Sequence, residues 1–461
     1  MDRTRAERFF TDARVLKARE MIQEALVDHQ TDLSGISPPL SDLKKSYEET
    51  LENLYRLRGA DLFYPYLGSG FGRGVLVELA DGSVKYDLIT GIGAHFFGHS
   101  QPELIDASIC GALEDVVMQG HLQQNLESVK LVEQFVRLSG LDHCFLTTSG
   151  AMANENALKI AFQFNHSKNR VMVFEHCFMG RTLALAQMTD KAAYREGLPL
   201  NMGIDYIPFF DHRDPEGSTR RAVDAMETLI HRYPEMHAVM VFELIQGEGG
   251  YNTAPREFFT ALMAVCRAHG IAVMVDEIQT FGRTERPFAF QTLELEEYTD
   301  LVTVGKMTQV CATLFRKRVK PKGGLLSQTF TAPSAVIRAA IAILERIENG
   351  DLYGKNGRIA HRSTYFRNHL EELSRRYPNY VRGPFGMGAM IAFTPMDGEL
   401  KTAIALVKAL FNEGVIAFIG GAIPARIRFL IPACVIQEEE INEVMKIIER
   451  TLVKFAEKLS V

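Results

Sequence analysis

The chain has 461 residues, which is enough for two or three domains or for one large fold with an appendage. Hydrophobic residues make up 46% of it and charged residues 23%, and the formal net charge is −6. This composition excludes a disordered or fibrous chain, and the slight acidic excess gives no reason to expect binding to nucleic acid or to an anionic membrane.

Signals for membrane insertion, secretion and disulfide bonding are absent from the sequence pattern. The longest uncharged, mostly apolar stretch, residues 414–425, is too short to cross a bilayer and is interrupted by glycine and proline. The N-terminus lacks the apolar segment of a signal peptide. Six cysteines are dispersed without a CxxC pair, which predicts reduced thiols, no disulfide framework and no metal site. We therefore expect a cytoplasmic protein without membrane or nucleic-acid partners.

The first part of the chain is predicted to be mainly helical. Residues 1–60 alternate charged and apolar positions at helical spacing, and the SGISPP run at 34–39 separates two helices. Residues 65–95 combine glycines with short apolar runs, which predicts a small antiparallel piece of sheet. Within it, the glycine-rich run at 68–74 has no GxGxxG register and no buried strand before it, so we interpret it as a flexible turn.

The middle of the chain has the pattern of a parallel α/β sheet. Short apolar runs recur at 144–146, 171–174, 238–242, 271–275 and 301–304. Because most of them do not alternate with polar residues, they are typical of strands that helices cover on both faces. The part after residue 335 is predicted to contain three helices and one strand, at 335–347, 400–411, 438–458 and 427–430.

Polar residues follow several of these strands, at the edge where open α/β sheets bind their ligands. Ser149 and Gly150 follow one strand, Asp276 another and Lys306 a third. Each has an ordinary alternative: the serine as a helix cap, the aspartate as a cap or ion-pair partner, and the lysine as a surface charge. Together they offer a helix N-terminus for a phosphate, a carboxylate for a pyridinium nitrogen and an amine for a Schiff base. These are the three groups that a protein must supply to bind and use pyridoxal 5′-phosphate (PLP).

At this point the sequence resembles the class III, or ω-amino-acid type, aminotransferases, which have the fold of the type I PLP-dependent transferases. The resemblance covers about residues 70–455, and its motifs stand in the family's order. They are SGAMANENALK at 149–159, FMGRT at 178–182, ELIQGEGG at 243–250, VDEIQTFGRT at 275–284, SQTF at 327–330 and RFLIP at 428–432. The TQVC run that comes shortly after Lys306 favours the branch of the lysine 6-aminotransferases and 4-aminobutyrate aminotransferases.

The resemblance implies catalytic and cofactor-binding roles for particular residues. Lys306 would form the Schiff base and transfer the proton, and Asp276 would hold the pyridinium nitrogen. Further cofactor contacts are implied at six positions: Ser149, Gly150, Ala151, Phe178, Gln279 and Thr329. The first three would bind the phosphate, Phe178 would stack on the ring and Gln279 would reach its hydroxyl. Thr329 would reach the phosphate of the neighbouring subunit in a homodimer.

Substrate-binding roles are implied for two arginines and a glutamate. Arg428 would bind an α-carboxylate, and Arg181 would bind the distal carboxylate of 2-oxoglutarate or the carboxylate of an ω-amino donor. Glu248 resembles the residue that pairs with the C-terminal arginine when a donor presents its distal amine. We interpret Arg426 as a solvated surface charge and leave it outside the site.

The implied fold is α/β of fold type I, with a large, mostly parallel sheet domain at 86–335. A small α+β domain would be assembled from both termini, at 1–85 and 336–461. The implied activity is ping-pong transfer of the amino group of lysine, 4-aminobutyrate, ornithine or acetylornithine to 2-oxoglutarate. Met152, Met179 and the TAP run at 331–333 depart from the family pattern and would reshape the pocket.

The sequence is compatible with two other kinds of function. An aminomutase, racemase or decarboxylase of the same family would use the same lysine and aspartate, and sustained turnover without an oxo acid would favour it. A non-catalytic PLP-fold binding protein would make Lys306 and Asp276 relics, which their intact spacing disfavours.

Overall fold

A computed structural model of the chain describes residues 3–115, 118–120, 122–166 and 168–459. The α-helices of this part are α1 (Arg5–Phe10), α2 (Ala13–Gln30), α3 (Ser41–Arg58), α4 (Thr90–Gly93), α5 (Pro102–Ala112), α6 (Leu126–Ser139), α7 (Gly150–Phe164), α8 (Leu183–Met188), α9 (Pro215–Arg232), α10 (Arg256–Ala268), α11 (Ala289–Thr292), α12 (Ser334–Asn349), α13 (Arg358–Arg376), α14 (Leu400–Asn412) and α15 (Glu438–Leu459).

The strands of the same part are β1 (Gly68–Arg73), β2 (Leu76–Leu79), β3 (Val84–Asp87), β4 (Met118–Gln119), β5 (His143–Thr147), β6 (Arg170–Phe174), β7 (Gly203–Ile207), β8 (His237–Phe242), β9 (Ile245–Gln246), β10 (Asn252–Thr253), β11 (Ala272–Glu277), β12 (Leu301–Val304), β13 (Cys311–Phe315), β14 (Ala332–Pro333), β15 (Val381–Met387), β16 (Met390–Pro395), β17 (Val415–Ile416), β18 (Phe418–Gly420) and β19 (Arg426–Leu430).

The central sheet has seven strands in the order β5-β13-β12-β11-β8-β6-β7. β13 runs antiparallel to both of its neighbours, and the other pairs are parallel. All five predicted apolar runs are strands of this sheet, so the prediction of a mostly parallel α/β sheet is confirmed. The sequence pattern does not predict β7 or β13, because their runs GIDYI and CATLF contain glycine, aspartate or alanine, which are poor strand formers.

Helices cover both faces of this sheet. All six residues of β8 are buried. Val239 and Val241 belong to the apolar cluster that includes the inner face of α7, whereas Met240 and Phe242 belong to the cluster that includes the phenylalanines of α10. Two-sided burial explains why the strands of this sheet are continuous apolar runs.

Two four-stranded sheets stand beside the central one, in the orders β1-β2-β3-β17 and β15-β16-β19-β18. In the first, β17 from the C-terminal part pairs in parallel with β3. The predicted turn at 68–74 is wrong, because most of this run is strand β1, paired antiparallel with β2. Glycine is required within it at Gly72, where a Cβ atom would lie 2.5 Å from the Cβ of His99. The domain boundaries at 85 and 335 stay a prediction.

The predicted terminal elements are confirmed with small shifts of their ends. α2 and α3 flank the break at 34–39, and α12, α14, α15 and β19 correspond to the four elements predicted after residue 335. α13 and the antiparallel pair β15–β16 are additional. Within the described ranges, no helix has both the length and the apolar character needed to span a bilayer.

Candidate active site

The carboxyl ends of β11 and β12 place an aspartate and a lysine at the same edge of the central sheet. In the parallel register of these strands Asp276 lies opposite Thr303, and Lys306 follows two residues after Val304, the end of β12. Both side chains border a cavity of about 300 Å³. Eight of the predicted site residues line this cavity: Gly150, Ala151, Phe178, Arg181, Glu248, Asp276, Gln279 and Lys306.

Lys306 has an environment that favours its neutral amine. Removal of the amine from water lowers the pKa of Lys306 to about 8, although the negative charge of Glu248 opposes this. Its backbone has φ +54°, a conformation that is uncommon outside glycine and is often found at functional sites. A lowered pKa increases the fraction of lysine present as the neutral amine, which is the form that adds to a carbonyl group.

Asp276 is held in place by two hydrogen bonds. Its carboxylate accepts from the backbone N–H of Ile278 at 2.9 Å and from the side-chain amide of Asn154 at 2.8 Å. Burial nevertheless raises the pKa of Asp276. A cation beside this carboxylate, such as a protonated ring nitrogen, would stabilise its charged form.

Asn154 is a site residue to which sequence reasoning assigns no role. The same amide group also donates to the carbonyl of Met179 at 2.8 Å, and its oxygen accepts from the hydroxyl of Thr303 at 2.7 Å. Asn154 therefore ties α7, β12 and the loop after β6 to Asp276. Its position inside the SGAMANENALK motif is the signal that could have found it.

Glu243 is a second buried carboxyl group of this edge, directly after β8. It accepts from the backbone N–H of Phe178 at 2.8 Å and from that of Gly247 at 3.2 Å, so it positions two loops that line the cavity. Burial and the nearby negative charge of Asp276 raise the pKa of Glu243 to about 8.

Arg428 lies behind the cavity wall and is fully buried. It forms an ion pair with Glu248 and donates to the carbonyl of Gly247 at 2.9 Å and to the side-chain oxygen of Gln279 at 3.2 Å. Burial lowers the pKa of Arg428, but the attraction of Glu248 more than compensates and leaves it above its ordinary value. The two predicted partners, Arg428 and Glu248, are thus in contact.

The start of α7 lies at the end of the cavity where the sequence predicts that the phosphate of PLP binds. The hydroxyl of Ser149 accepts from the backbone N–H of Met152 at 3.2 Å and so caps the helix, outside the cavity wall. Gly150 and Ala151 do line the cavity, and a Cβ atom on Gly150 would lie 2.9 Å from the side chain of Ile278. Backbone N–H groups at such a helix start favour a phosphate.

Thr329 and the arginines at the rim complete the set of predicted residues. Thr329 is exposed and lies away from the cavity, so its contact with a neighbouring subunit stays a prediction. Arg181 is exposed at the cavity rim, with its guanidinium 3.5 Å from the ring centroid of Tyr194. The interpretation of Arg426 as a solvated surface charge is wrong: it is half-buried because the ring of Phe385, on β15, covers its guanidinium at 3.8 Å.

These residues fit PLP. The cavity combines an amine with a lowered pKa, a buried carboxylate that forms no ion pair among the described residues, and a helix start whose Gly150 and Ala151 line the wall. In the described ranges, no group of three or more His, Cys, Asp or Glu residues could hold a metal ion.

Comparisons with known proteins agree with this geometry. The family model of class III aminotransferases matches residues 70–452. An acetylornithine aminotransferase of Myxococcus xanthus is 35% identical over 73% of this chain and 82% of its own length, and one of Methanocaldococcus jannaschii is 28% identical over 82% and 91%. The lysine aminotransferase of M. tuberculosis is 25% identical, with a TM-score of 0.78 over 88% of this chain and 99% of its own. The chain therefore belongs to the class III aminotransferases and is a PLP-dependent transaminase of fold type I.

Proposed function

We propose that this enzyme transfers the distal amino group of an ω-amino acid to 2-oxoglutarate, with lysine as the leading donor and 4-aminobutyrate, ornithine or acetylornithine behind it. The observation that carries the proposal is the arrangement of Lys306 and Asp276 in one cavity, with Arg181 at its rim and the Arg428–Glu248 ion pair at its wall. Relatives named for acetylornithine and lysine support this donor class.

Each residue at the sheet edge has a chemical task in this proposal. PLP, when bound, supplies an electron sink for the charge left on the substrate carbon. Asp276 keeps the ring nitrogen protonated, which its hydrogen bonds from Ile278 and Asn154 support by orienting the carboxylate. Nζ of Lys306 accepts the proton from the substrate carbon and returns it as a general acid.

The Arg428–Glu248 pair accommodates two different substrates in one pocket. While a donor presents its distal amine, Arg428 stays paired with Glu248 and its positive charge is neutralised. An oxo acid brings an α-carboxylate instead, and Arg428 then exchanges Glu248 for this carboxylate. Arg181 binds the other carboxylate of either substrate. A buried charge that always keeps a partner avoids the large cost of an unpaired ion.

A homodimer and a reducing compartment are part of the same proposal. Thr329 and Phe330 are both exposed, which leaves them available to a second copy of the chain. The six cysteines are free thiols, which supports a reducing compartment such as the cytoplasm. Light scattering at assay concentration should show a dimer, and an active monomer would contradict this part of the proposal.

The decisive experiment is a panel of amino donors assayed with and without 2-oxoglutarate. Turnover should depend on the oxo acid and should be greatest for donors with a distal amine; sustained turnover without an acceptor would favour a mutase, racemase or decarboxylase instead. Borohydride treatment of the PLP-loaded enzyme should label Lys306. The Lys306→Ala variant should lose both label and activity, whereas Lys159→Ala, which replaces an exposed lysine of α7, should keep both. Labelling of a different lysine would contradict the assignment.

A further inference from the structure

A second cavity, which we call the outer cavity, adjoins the first. The two share Phe178 and Glu248 in their walls, and the outer cavity is further lined by Lys191, Asn252 and Arg426. Its volume is about 80 Å³, which is enough for a small charged group such as a carboxylate.

Arg426 brings a positive charge into this wall, and it forms no ion pair with a carboxylate of the described residues. Its guanidinium donates to the carbonyl of Gly250 at 2.6 Å and stacks on the ring of Phe385. Its Nε is buried and has no hydrogen-bond partner among the described residues. Burial lowers the pKa of Arg426 to about 10, and no acid in the described part of the chain offsets this effect. A buried charge is costly unless an opposite charge accompanies it.

Lys191 adds a second positive charge to the outer cavity. Its amine lies 3.4 Å from the phenol oxygen of Tyr194 and 5.0 Å from its ring centroid, and its charge also acts on Glu248, which is already paired with Arg428. A neutral phenol does not balance an ammonium group.

The acidic residues that border the outer cavity already have hydrogen-bond or ion-pair partners. Glu248 is paired with Arg428. Asp190 accepts from the backbone N–H of His176 at 2.8 Å and lies 3.9 Å from Arg195. Glu248 and Asp190 thus share four cations, Arg428, Arg195, Lys191 and Arg426, so the outer cavity and the partners of its acids keep an excess of two positive charges.

We propose that Arg426 and Lys191 form an anion subsite that binds a carboxylate at the far end of an extended amino donor. This carboxylate is additional to the one that Arg181 binds, so the enzyme prefers donors with two carboxylates to donors of the same length with a neutral end. The inference rests on the proposed aminotransferase function and narrows its donor class. The ligand carboxylate supplies the counter-charge that Arg426 lacks.

Binding without turnover tests the subsite directly. N-Succinyl-L-norvaline and N-succinamoyl-L-norvaline have the same length, the same amino-acid part and no free amine; the first ends in a carboxylate and the second in a neutral amide. Calorimetry with the PLP-loaded enzyme should give at least tenfold tighter binding of the succinyl compound. Arg426→Gln should reduce this ratio to within twofold of unity, and Arg426→Lys should retain most of it.

Two further variants keep the test decisive. Lys191→Gln, on a separate segment, should also lower the ratio, and it decides the question if Arg426→Gln does not fold. Arg382→Gln, an exposed arginine of β15 outside both cavities, should leave the ratio unchanged. Equal binding of the two compounds by the unmodified enzyme, or an unchanged ratio in Arg426→Gln or Lys191→Gln, would overturn the proposal.

Turnover separates this inference from the proposed function. N²-Succinylornithine should have a higher kcat/KM than N²-succinamoylornithine, which has the same length and a neutral end, with 2-oxoglutarate as the acceptor. Absence of turnover with every distal-amine donor would contradict the proposed function, while the calorimetric ratio would still decide whether the subsite exists.

Discussion

Replacement of Asn154 by alanine is expected to destabilise the fold, because this side chain satisfies three buried groups. Its amide donates to the carboxylate of Asp276 and the carbonyl of Met179, both at 2.8 Å, and its oxygen accepts from Thr303 at 2.7 Å. A buried polar group left without its partner costs about 1–3 kcal/mol. Partial solvation of the space left by the amide reduces this sum, so we expect the free energy of unfolding to fall by about 2–4 kcal/mol in urea denaturation.

The same substitution is expected to weaken cofactor binding. Asp276 loses one of its two hydrogen-bond donors and keeps only the backbone N–H of Ile278. A hydrogen bond to a charged group contributes about 1.5–3 kcal/mol, which corresponds to about 10- to 100-fold in affinity. Titration of the cofactor-free protein with PLP, followed by absorbance, measures this loss.

Asn156→Ala is the matched control for this experiment. Asn156 is a buried asparagine of the same helix, and its amide nitrogen has no hydrogen-bond partner among the described residues. The control should keep its PLP affinity to within about threefold, or roughly 0.65 kcal/mol. Equal losses of affinity in the two variants would refute the argument that Asn154 acts through Asp276.

Three further substitutions test individual groups of the site. Asp276→Asn should retain PLP, because asparagine has nearly the same shape as aspartate. The variant should lose most of its transaminase activity, since a neutral amide does not hold the ring nitrogen protonated. Near-normal turnover would contradict the mechanism. The pKa of Glu243 is raised from 4.5 to about 8, so the folded state binds more protons than the unfolded state in this range, and the contribution of this group to stability falls as the pH rises from 4.5 to 8. Urea denaturation should show a smaller decline over this range in Glu243→Gln, and parallel curves would count against the raised pKa. Arg181→Ala should lower kcat/KM for distal-amine donors by well over tenfold, since a charge-assisted hydrogen bond between arginine and a carboxylate contributes about 2–5 kcal/mol. Efficient transfer from alanine, together with unchanged kinetics of Arg181→Ala, would exclude an ω-amino-acid donor.

Much of the fold, and the shared location of Lys306 and Asp276, could be predicted from the sequence, because both depend on local patterns. Strands buried on two faces must be apolar along their whole length, so the five runs at 144–146, 171–174, 238–242, 271–275 and 301–304 identified the sheet. A lysine and an aspartate that each follow such a strand share an edge in any parallel arrangement. This is why Lys306 and Asp276 could be placed together before any contact was known.

The remaining features depend on contacts between residues that are far apart in the chain. Asn154 meets Asp276 across 122 positions, and the sequence pattern does not reveal this contact. Arg428 meets Glu248 across 180 positions, and only the family resemblance, not a local pattern, predicted that pair. Arg426 looks like a surface charge in sequence. Only the fold places the ring of Phe385, on β15 of the same sheet, over its guanidinium, which forms no ion pair with an acid in the described part of the chain. The sequence by itself thus determined five strands of the sheet and the shared edge of Lys306 and Asp276, because apolar runs and strand ends are local. The tertiary structure alone decided which carboxylates are neutralised and which arginine is not, because burial and charge balance depend on every segment that packs around a group.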